Sequence, residues 1–358
     1  FVFTLFVLFI CFFLIEYTIF LLTPKKKRRM MRIETQKIMC AIDFSDFSDI
    51  VIAYGKSLAS EFSSTLCLCH ILSGTLMISS LGHSYIDYTD IEAGRVQSAK
   101  DKLGKMAEEL DIECEIIVST GHAADEISRI VSKNNIDMVI AATHGGSGIK
   151  RFLIGSVTDR LVKTLQCPLL VLFAQKKHSS SVIGKNIKLK KILVGCDFSP
   201  DSQLAFDHAL SLAQEFQTQL YLAHVVRPSE QIELSASDYI KIQEDGDYTN
   251  WTRSEYLELK KKATNEDLKN KKTLFHHFEK QLLDMVPEDC RNWCTPITVL
   301  LEGQPYKELT DYAVQKEVDM IVIGVHGHSL LERFIVGSTT DRVISQASCP
   351  VLVVRQIS

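Results

Sequence analysis

Apolar runs of strand length alternate with stretches of helical periodicity along most of the chain. Residues 37–43 (KIMCAID) form an apolar run that ends in a carboxylate, and apolar side chains recur at helical spacing over residues 47–62. A strand is therefore predicted to pass into a helix just after Asp43, with Ser45 or Asp46 as the helix N-cap.

The same alternation continues to residue 173. It predicts strands at 65–72, 115–118, 137–142 and 168–173 and helices around 99–110, 125–135 and 157–165. Strands that are apolar on both faces and separated by helices are typical of a parallel sheet covered on both sides. The predicted fold class is α/β, with a doubly wound sheet.

The whole pattern occurs twice. Residues 191–197 (KILVGCD) repeat residues 37–43, and SLAQEF at 211–216 repeats SLASEF at 57–62 without a gap. The offset between the copies is 154 residues there and 182 at a later glycine-rich loop, so the second copy carries an insertion of 28 residues. We place it within 235–272, a charged stretch that predicts a solvated helix or lid, with a basic partner-binding surface as the alternative.

The length of the chain fits two domains, and its net charge bears on possible partners. The 358 residues suit two cores of roughly 150 residues each. We predict domain one over 37–175, a polar linker over 176–187 and domain two over 188–355. The formal net charge of −4 gives no bulk attraction to nucleic acid, so no nucleic-acid partner is predicted.

The ten cysteines show no paired CxxC spacing that would predict a zinc site. Four of them lie in apolar strand-like runs and are expected to be reduced core residues of a cytoplasmic protein, namely Cys40, Cys67, Cys69 and Cys196. Cys290 and Cys294 flank Trp293 in a loop-like segment, where a redox or metal role is the alternative.

Residues 1–29 differ in composition from the rest of the chain. Up to position 22 they are almost wholly apolar, with Glu16 as their single charge, and the basic cluster KKKRR follows at 25–29. One hypothesis is a membrane anchor that holds the domains on the cytoplasmic side. The other is translated upstream sequence, since the chain does not begin with Met and Met30 precedes the first predicted strand.

A glycine-rich loop follows the fourth predicted strand in each copy. The second copy reads IVIGVHGHSLLERFIVGSTTDRV over residues 321–343, and residues 137–161 repeat its pattern. Glycines let backbone N–H groups approach an anion closely, and the Gly-Ser-x-Thr segment begins a helix whose N-terminus favours negative charge. The pattern predicts a phosphate cradle in each copy.

Each copy also places a carboxylate opposite its glycine-rich loop. Asp43 and Asp197 end the first strand of their copies, and Ile71 and Val225 lie at the end of the second. In an open parallel sheet, ligands bind at the carboxyl ends of the strands where the strand order reverses. A carboxylate at that position suits a ribose or an adenine amine, and the alternative is a helix-capping residue.

These motifs resemble those of the universal stress protein family, in particular its ATP-binding branch. The shared features are Asp-Phe-Ser after strand one, His-Ile or His-Val after strand two, and a Gly-x-x-Gly loop followed after nine residues by Gly-Ser-x-Thr. The resemblance covers residues 37–175 and 188–355 and implies two tandem five-stranded parallel sheets of order 3-2-1-4-5. It also implies binding of ATP, AMP or ADP with accompanying Mg²⁺. Members form dimers, which here means an internal pseudo-dimer of the two domains or a homodimer of chains.

The resemblance implies a set of nucleotide contacts in each copy. In the second copy the base and ribose would meet Asp197, Val225 and Gly324, and the phosphates would meet His326, Gly327, Gly337, Ser338, Thr339 and Thr340. The counterparts in the first copy are Asp43, Ile71, Ala142, His144, Gly145, Gly155, Ser156, Val157 and Thr158. Ala142 replaces the first glycine of the loop, and its methyl group is expected to crowd a ligand in the first site.

Two signals of catalysis are discounted. Gly55-Lys56-Ser57 lies within a predicted amphipathic helix rather than at a strand-to-helix turn, so it is not a P-loop. His144 and His326 stand beside no nucleophile or metal cluster in the sequence, so neither is predicted to be a catalytic base.

The leading hypothesis is a cytoplasmic stress protein that binds or senses ATP, with at most slow ATP hydrolysis. The alternatives are a non-nucleotide structural or chaperone-like stress protein and a membrane-tethered regulatory domain. The first alternative conflicts with the intact Gly-Ser-x-Thr segment in both copies, and the second depends wholly on the apolar start of the chain.

We predict that residues 30–358 fold and stay in solution on their own, because no apolar segment of membrane length follows residue 22. The measurements are circular dichroism and sedimentation of that fragment. Aggregation of the fragment, or its partition into membranes, would contradict the interpretation of residues 1–29 as dispensable upstream sequence.

Overall fold

The computed structural model describes residues 33–73, 88–143, 155–173, 187–227, 271–290, 296–326 and 336–356. Both repeats lie in one compact unit. Three predicted segments lie outside the described residues: the N-terminal segment 1–29, the linker 176–187 apart from its last residue, and the insertion up to residue 270.

The first repeat has the predicted alternation of strands and helices. Its elements are β1 (Lys37–Ala41), α1 (Ser48–Phe62), β2 (Thr65–Leu72), α2 (Tyr88–Glu108), β3 (Cys114–Thr120), α3 (Ala123–Asn134), β4 (Met138–Ala142), α4 (Ser156–Thr164) and β5 (Leu169–Leu172). Every element predicted for this repeat is present, and α2 begins before its predicted apolar stripe.

The second repeat follows the same order. Its elements are β6 (Lys191–Gly195), α5 (Pro200–Phe216), β7 (Gln219–Val226), α6 (271–284), a 3₁₀ turn (Glu288–Cys290), β8 (Ile297–Glu302), α7 (Pro305–Lys316), β9 (Met320–Gly324), α8 (Ser338–Gln346) and β10 (Val351–Val354). The two repeats therefore share one plan, as their matching sequences predict.

The ten strands form one sheet of order β3-β2-β1-β4-β5-β10-β9-β6-β7-β8. Within each repeat the pairing is parallel and the order is 3-2-1-4-5, so the predicted fold is confirmed. The order reverses between β1 and β4 in the first repeat and between β6 and β9 in the second. Each reversal opens a crevice at the carboxyl ends of the strands, where ligands bind in such sheets.

The two repeats join through their last strands. β5 and β10 pair antiparallel, with Leu352 opposite Leu170 and Val351 opposite Val171. These side chains are fully or almost fully buried. Bare apolar edges are prone to aggregate, and this pairing covers both of them. The family resemblance implies an internal pseudo-dimer of the two domains, and the β5–β10 pairing joins them in that way.

Helices cover both faces of the sheet. One apolar cluster includes residues of α1, α2, α5 and α6, such as Leu58, Leu103 and Phe206. The other includes residues of α3, α4, α7 and α8, such as Ile127 and Leu309. Both clusters contain residues from both repeats, so the core is continuous across the β5–β10 junction.

A carboxylate fixes the start of the first strand in each repeat. Asp137 Oδ2 accepts hydrogen bonds from the N–H groups of Gln36 and Lys37 at 2.7 and 2.8 Å. Asp319 Oδ2 accepts equivalent bonds from Lys190 and Lys191 at 2.7 and 2.9 Å. Because Asp137 and Asp319 precede β4 and β9, these bonds set the register across each switch point.

The start of helix α1 differs from the prediction. Its N-cap is Phe47, without a side-chain capping bond, so the assignment of Ser45 or Asp46 as N-cap is wrong. The reason is local: the Ser45 hydroxyl donates to Asp43 at 2.6 Å and forms a turn before the helix. Ser57 lies within α1 and accepts a bond from the Ile187 N–H, so the Gly-Lys-Ser triplet is helical as predicted.

The four cysteines predicted to lie in the core are buried. Burial raises the pKa of the Cys67 and Cys69 thiols to about 12, and it raises the pKa of Cys40 and Cys196 further. Thiols of this kind stay protonated and unreactive. Cys290 is also buried, while Trp293 and Cys294 lie outside the described residues.

In the part of the chain that the structure describes, none of the helices combines the length and the apolar character needed to cross a bilayer.

Helix α5 approaches the end of β9 very closely. A Cβ atom added to Gly324 would lie 2.7 Å from the carbonyl carbon and 2.8 Å from the Cβ of Asp201, in the first turn of α5. Only a residue without a side chain allows that approach. The first repeat has Ala142 at the position of Gly324.

We predict that Leu352→Lys separates the repeats or destabilises the protein by about 3 kcal/mol or more, because it places a charge between two apolar strands. Thermal melting and small-angle scattering measure the two effects. Val314→Lys is the control, since Val314 is 60% exposed on α7. Unchanged dimensions and melting in Leu352→Lys would contradict the junction.

We predict that Gly324→Ala costs about 1–3 kcal/mol of stability, since backbone atoms of α5 must move to admit the methyl group. Gly94→Ala is the matched control because a Cβ there meets nothing within 4 Å in the middle of α2. That variant is expected to gain up to about 1 kcal/mol from helix propensity. Equal melting temperatures for Gly324→Ala and wild type would show that the approach is not tight.

Candidate functional site

The carboxyl ends of β6, β7 and β9 surround a cavity of about 440 Å³ in the second repeat. This volume is within the range of sites that hold small organic ligands. The cavity lies at the switch point between β6 and β9. Eight of the nine residues predicted for this site line it: Asp197, Val225, Gly324, His326, Gly337, Ser338, Thr339 and Thr340. The ninth, Gly327, lies outside the described residues.

Asp197 supplies a carboxylate to one wall of the cavity. Its Oδ1 accepts a bond from the Ser199 N–H at 3.0 Å. The N-cap of α5 is Ser199, whose Oγ accepts from the Ser202 N–H at 3.2 Å. Because Ser199 caps the helix, Asp197 is not needed for capping. The helix-capping interpretation of Asp197 is therefore wrong.

The residue after this aspartate has an unusual backbone conformation. Phe198 has φ +62°, in the left-handed region that bulky residues avoid. Its ring packs on the ring of His224 with centroids 4.8 Å apart, and His224 Nδ1 lies 2.8 Å from the Cys196 carbonyl oxygen. Strained backbone of this kind concentrates at functional sites because the surrounding contacts must hold it.

The first repeat holds its turn in the same way. Phe44 has φ +60°, its ring lies 4.3 Å from the ring of His70, and His70 Nδ1 lies 2.7 Å from the Ile42 carbonyl oxygen. The Asp43 carboxylate accepts bonds from the N–H and the hydroxyl of Ser45 at 2.9 and 2.6 Å. Both copies thus fix a carboxylate at the same end of the sheet.

The opposite wall of the cavity is the N-terminus of α8. Gly337 is its N-cap and makes no side-chain capping bond. The first N–H groups of a helix have no acceptor within the helix, and the helix dipole makes this end attractive to anions. The Gly337 N–H donates to the Val325 carbonyl at 2.9 Å, which holds the helix start against the end of β9.

The threonine hydroxyls of the two Gly-Ser-x-Thr segments have partners within the protein. Thr340 is buried, and its Oγ1 donates to the Gly324 carbonyl at 2.7 Å. Thr158 is buried and donates to the Ala142 carbonyl at 2.9 Å. The hydroxyl protons of both threonines are therefore used within the protein, which leaves the main-chain N–H groups and the serine hydroxyls of these segments for an anion.

The first-repeat residues occupy matching positions. Gly155 is the N-cap of α4, and a Cβ added there would lie 2.5 Å from the Thr143 carbonyl oxygen, so the close approach requires glycine. Ser156 and Val157 are exposed in the first turn, and Ile71 is partly buried at the end of β2. His144 and Gly145 lie outside the described residues.

Ala142 lies at the end of β4, at the position that Gly324 holds at the end of β9. A methyl group added at Gly324 would meet Asp201 of helix α5, so the two repeats must differ in how closely the helix after strand one approaches strand four. The crowding of a ligand by Ala142 stays a prediction.

Sequence reasoning missed several residues of the cavity. Arg227 follows β7 and brings a positive charge to the lining of the second-repeat cavity. Leu309 and Pro305 of α7 add apolar surface to the same lining. The repeat alignment could have drawn attention to Arg227, because the first copy has Ser73 at that position. Among the described residues, no group of three or more His, Cys, Asp or Glu side chains could hold a metal ion.

Asp201 is a further residue that the sequence did not indicate. Its Oδ2 lies 3.0 Å from the main-chain nitrogen of His326 and 2.9 Å from His326 Nδ1. Its Oδ1 accepts from the Gln356 N–H at 3.0 Å. This buried carboxylate therefore connects the start of the glycine-rich loop with the chain after β10.

Comparisons with known proteins agree with this architecture. The family model described as "Universal stress protein family" matches residues 34–172 and 188–355. A universal stress protein of Methanocaldococcus jannaschii is 33% identical over 174 residues, which is 48% of this chain and 85% of that protein. One from Mycobacterium bovis is 24% identical over 267 residues, 74% of this chain and 76% of that protein.

A solved structure shares the fold over most of the chain. The crystal structure of a universal stress protein from Archaeoglobus fulgidus superposes with a TM-score of 0.58 at 17% identity, covering 90% of this chain and 99% of that one. The likeness at this identity concerns the fold alone. The family model, by contrast, covers both repeats almost completely. The chain is a member of the universal stress protein family with two of its domains in tandem.

Proposed function

We propose that the second repeat binds an adenine nucleotide, with ATP as the leading ligand and ADP or AMP as shorter ones. The observation that carries the proposal is the cavity with a carboxylate on one wall and an uncapped helix N-terminus on the other. A nucleotide has a hydroxyl-rich sugar at one end and anionic phosphates at the other, so its two ends match the two walls.

The sugar and base end of the ligand fits the wall formed by β6, β7 and α7. The Asp197 carboxylate can accept bonds from ribose hydroxyls or from the adenine amine. Val225 and Leu309 are buried and line the same cavity, so they supply an apolar surface for a purine ring. This pairing of one polar group with apolar surface orients a ligand without enclosing it.

The phosphate end fits the start of α8. The N–H groups of Ser338, Thr339 and Thr340 lie in the first turn, where anions bind most favourably. Arg227 adds a positive charge to the same cavity. A Mg²⁺ ion would arrive with the phosphates, which supply the oxygen ligands that it prefers.

We further infer a second, weaker site in the first repeat. Asp43 and the N-terminus of α4 reproduce the carboxylate and the anion wall. Two groups of the second site have no equivalent there, because Ser73 replaces Arg227 and Phe47 replaces Asp201. Without the positive charge of Arg227, the first site should hold phosphates less tightly.

The proposed role of the protein is that of a cytoplasmic binding or sensing module in a stress response, with at most slow hydrolysis of ATP. A structural or chaperone-like role is the alternative. The structural role is supported by Thr340 and Thr158, whose hydroxyls hold their helices against main-chain carbonyls of the protein itself. Nucleotide titration separates the two roles.

We predict that the wild-type chain binds MgATP in isothermal titration calorimetry. Asp197→Asn should weaken the tighter site about tenfold, since it removes charged acceptors for the sugar or the base. Asp43→Asn is the matched control in the other repeat and should leave the tighter site unchanged. A wild-type chain that binds no adenine nucleotide at millimolar concentration would refute the proposal and favour the structural role.

A further inference from the structure

We propose that Asp201 is a positioning residue of the second site, which holds His326 so that its Nε2 atom receives a proton and bonds a phosphate of the ligand. The inference rests on the proposed function above. It adds the claim that His326 takes up a proton when a phosphate-bearing ligand binds.

The geometry of the pair fixes which nitrogen carries the proton. A carboxylate only accepts hydrogen bonds, so His326 Nδ1, 2.9 Å from Asp201 Oδ2, must be the donor. The main-chain N–H of His326 donates to the same oxygen at 3.0 Å. Two bonds to one residue fix both the backbone and the ring, as partners of functional histidines commonly do.

The other ring nitrogen is left for a ligand. His326 Nε2 is buried and has no hydrogen-bond partner among the described residues. His326 lines the cavity, and its neighbour Val325 accepts the bond from the N-cap of α8. His326 therefore lies at the end of the cavity where the phosphates are proposed to bind.

A phosphate oxygen accepts hydrogen bonds and donates none, so it repels the lone pair of a neutral Nε2. If the ring takes up a proton, the imidazolium donates from Nδ1 to Asp201 and from Nε2 to the phosphate. A nucleoside has no phosphate, so its binding should not cause the ring to take up a proton.

Several charged or titratable groups surround this ring or line its cavity in the described residues. They are Asp201 on α5, Cys196 and Asp197 after β6, His224 and Arg227 at the end of β7, and Arg355 after β10. Asp201 is the group in direct contact with the ring, at 2.9 Å. Its contribution can be removed by a single isosteric substitution.

The sequence gives the first repeat no aspartate at the position of Asp201. Gly324 admits the first turn of α5 to the end of β9, which brings Asp201 within reach of His326. In the first repeat the corresponding residues are Ala142 and Phe47. A carboxylate at this place therefore distinguishes two sites that are otherwise built alike.

Arg355 explains how a carboxylate is tolerated in this position. Burial lowers the pKa of the Arg355 guanidinium, and the nearby charge of Asp201 acts in the opposite direction. The guanidinium itself donates to the carbonyls of Lys163 and Val162, at 2.9 and 3.0 Å, at the end of α4. Arg355 thus balances the charge of Asp201 while its own donors serve the first repeat.

The test compares ATP with adenosine in titration calorimetry, repeated in buffers of different ionisation enthalpy so that proton uptake is measured. For the wild type we expect uptake with ATP and none with adenosine. Asp201→Asn and His326→Gln should each weaken ATP binding about tenfold, abolish the uptake and leave adenosine affinity unchanged. The double variant should be no weaker than either single one.

Asp207→Asn on the same helix is the control, since Asp207 bonds Gln203 and does not line the cavity. Equal losses for ATP and adenosine in Asp201→Asn, or uptake that persists in it, would overturn the inference. If Asp201→Asn fails to fold, His326→Gln decides alone, and persistent uptake in that variant overturns the inference. A wild type that binds adenosine and ATP without proton uptake also overturns it, whereas one that binds neither refutes the proposed function first.

Discussion

The antiparallel pairing of β5 with β10 is the interaction on which the arrangement of the two repeats depends. Each repeat ends in a short, wholly buried strand, and these strands are stable in water only when both edges are covered. The pairing also places the chain after β10 against the second site, because Gln356 bonds Asp201 and Arg355 reaches the end of α4. The junction that joins the repeats therefore also supports one of the two sites.

Two copies of one scaffold yield two chemically different candidate sites. The shared parts are the strained phenylalanine after strand one, the carboxylate before it and the glycine-capped helix after strand four. The differences are the extra charges of the second site, Arg227 and Asp201. A tandem chain of this kind can keep one repeat as a binding site while the other serves mainly as its partner in the sheet.

The fold was predictable from the sequence because its signals are local and occur twice. Strand β2 has the predicted ends, and eight predicted residues meet at one cavity. The pair Asp201 and His326 was not predictable, because 125 residues separate them and the first copy lacks the aspartate. Comparison of repeats finds what the copies share, so it overlooks a group present in only one. The role of the Thr340 hydroxyl was also hidden, since spacing does not show which acceptor a hydroxyl meets.

The most direct test of the central claim is native mass spectrometry of the freshly purified full chain, followed by identification of any released ligand. The account predicts a bound mass that matches an adenine nucleotide, and a smaller fraction of chains that carry it after Asp197→Asn. A chain that carries no ligand and takes none up when ATP is added, or one that retains a molecule without phosphate or adenine, would contradict it.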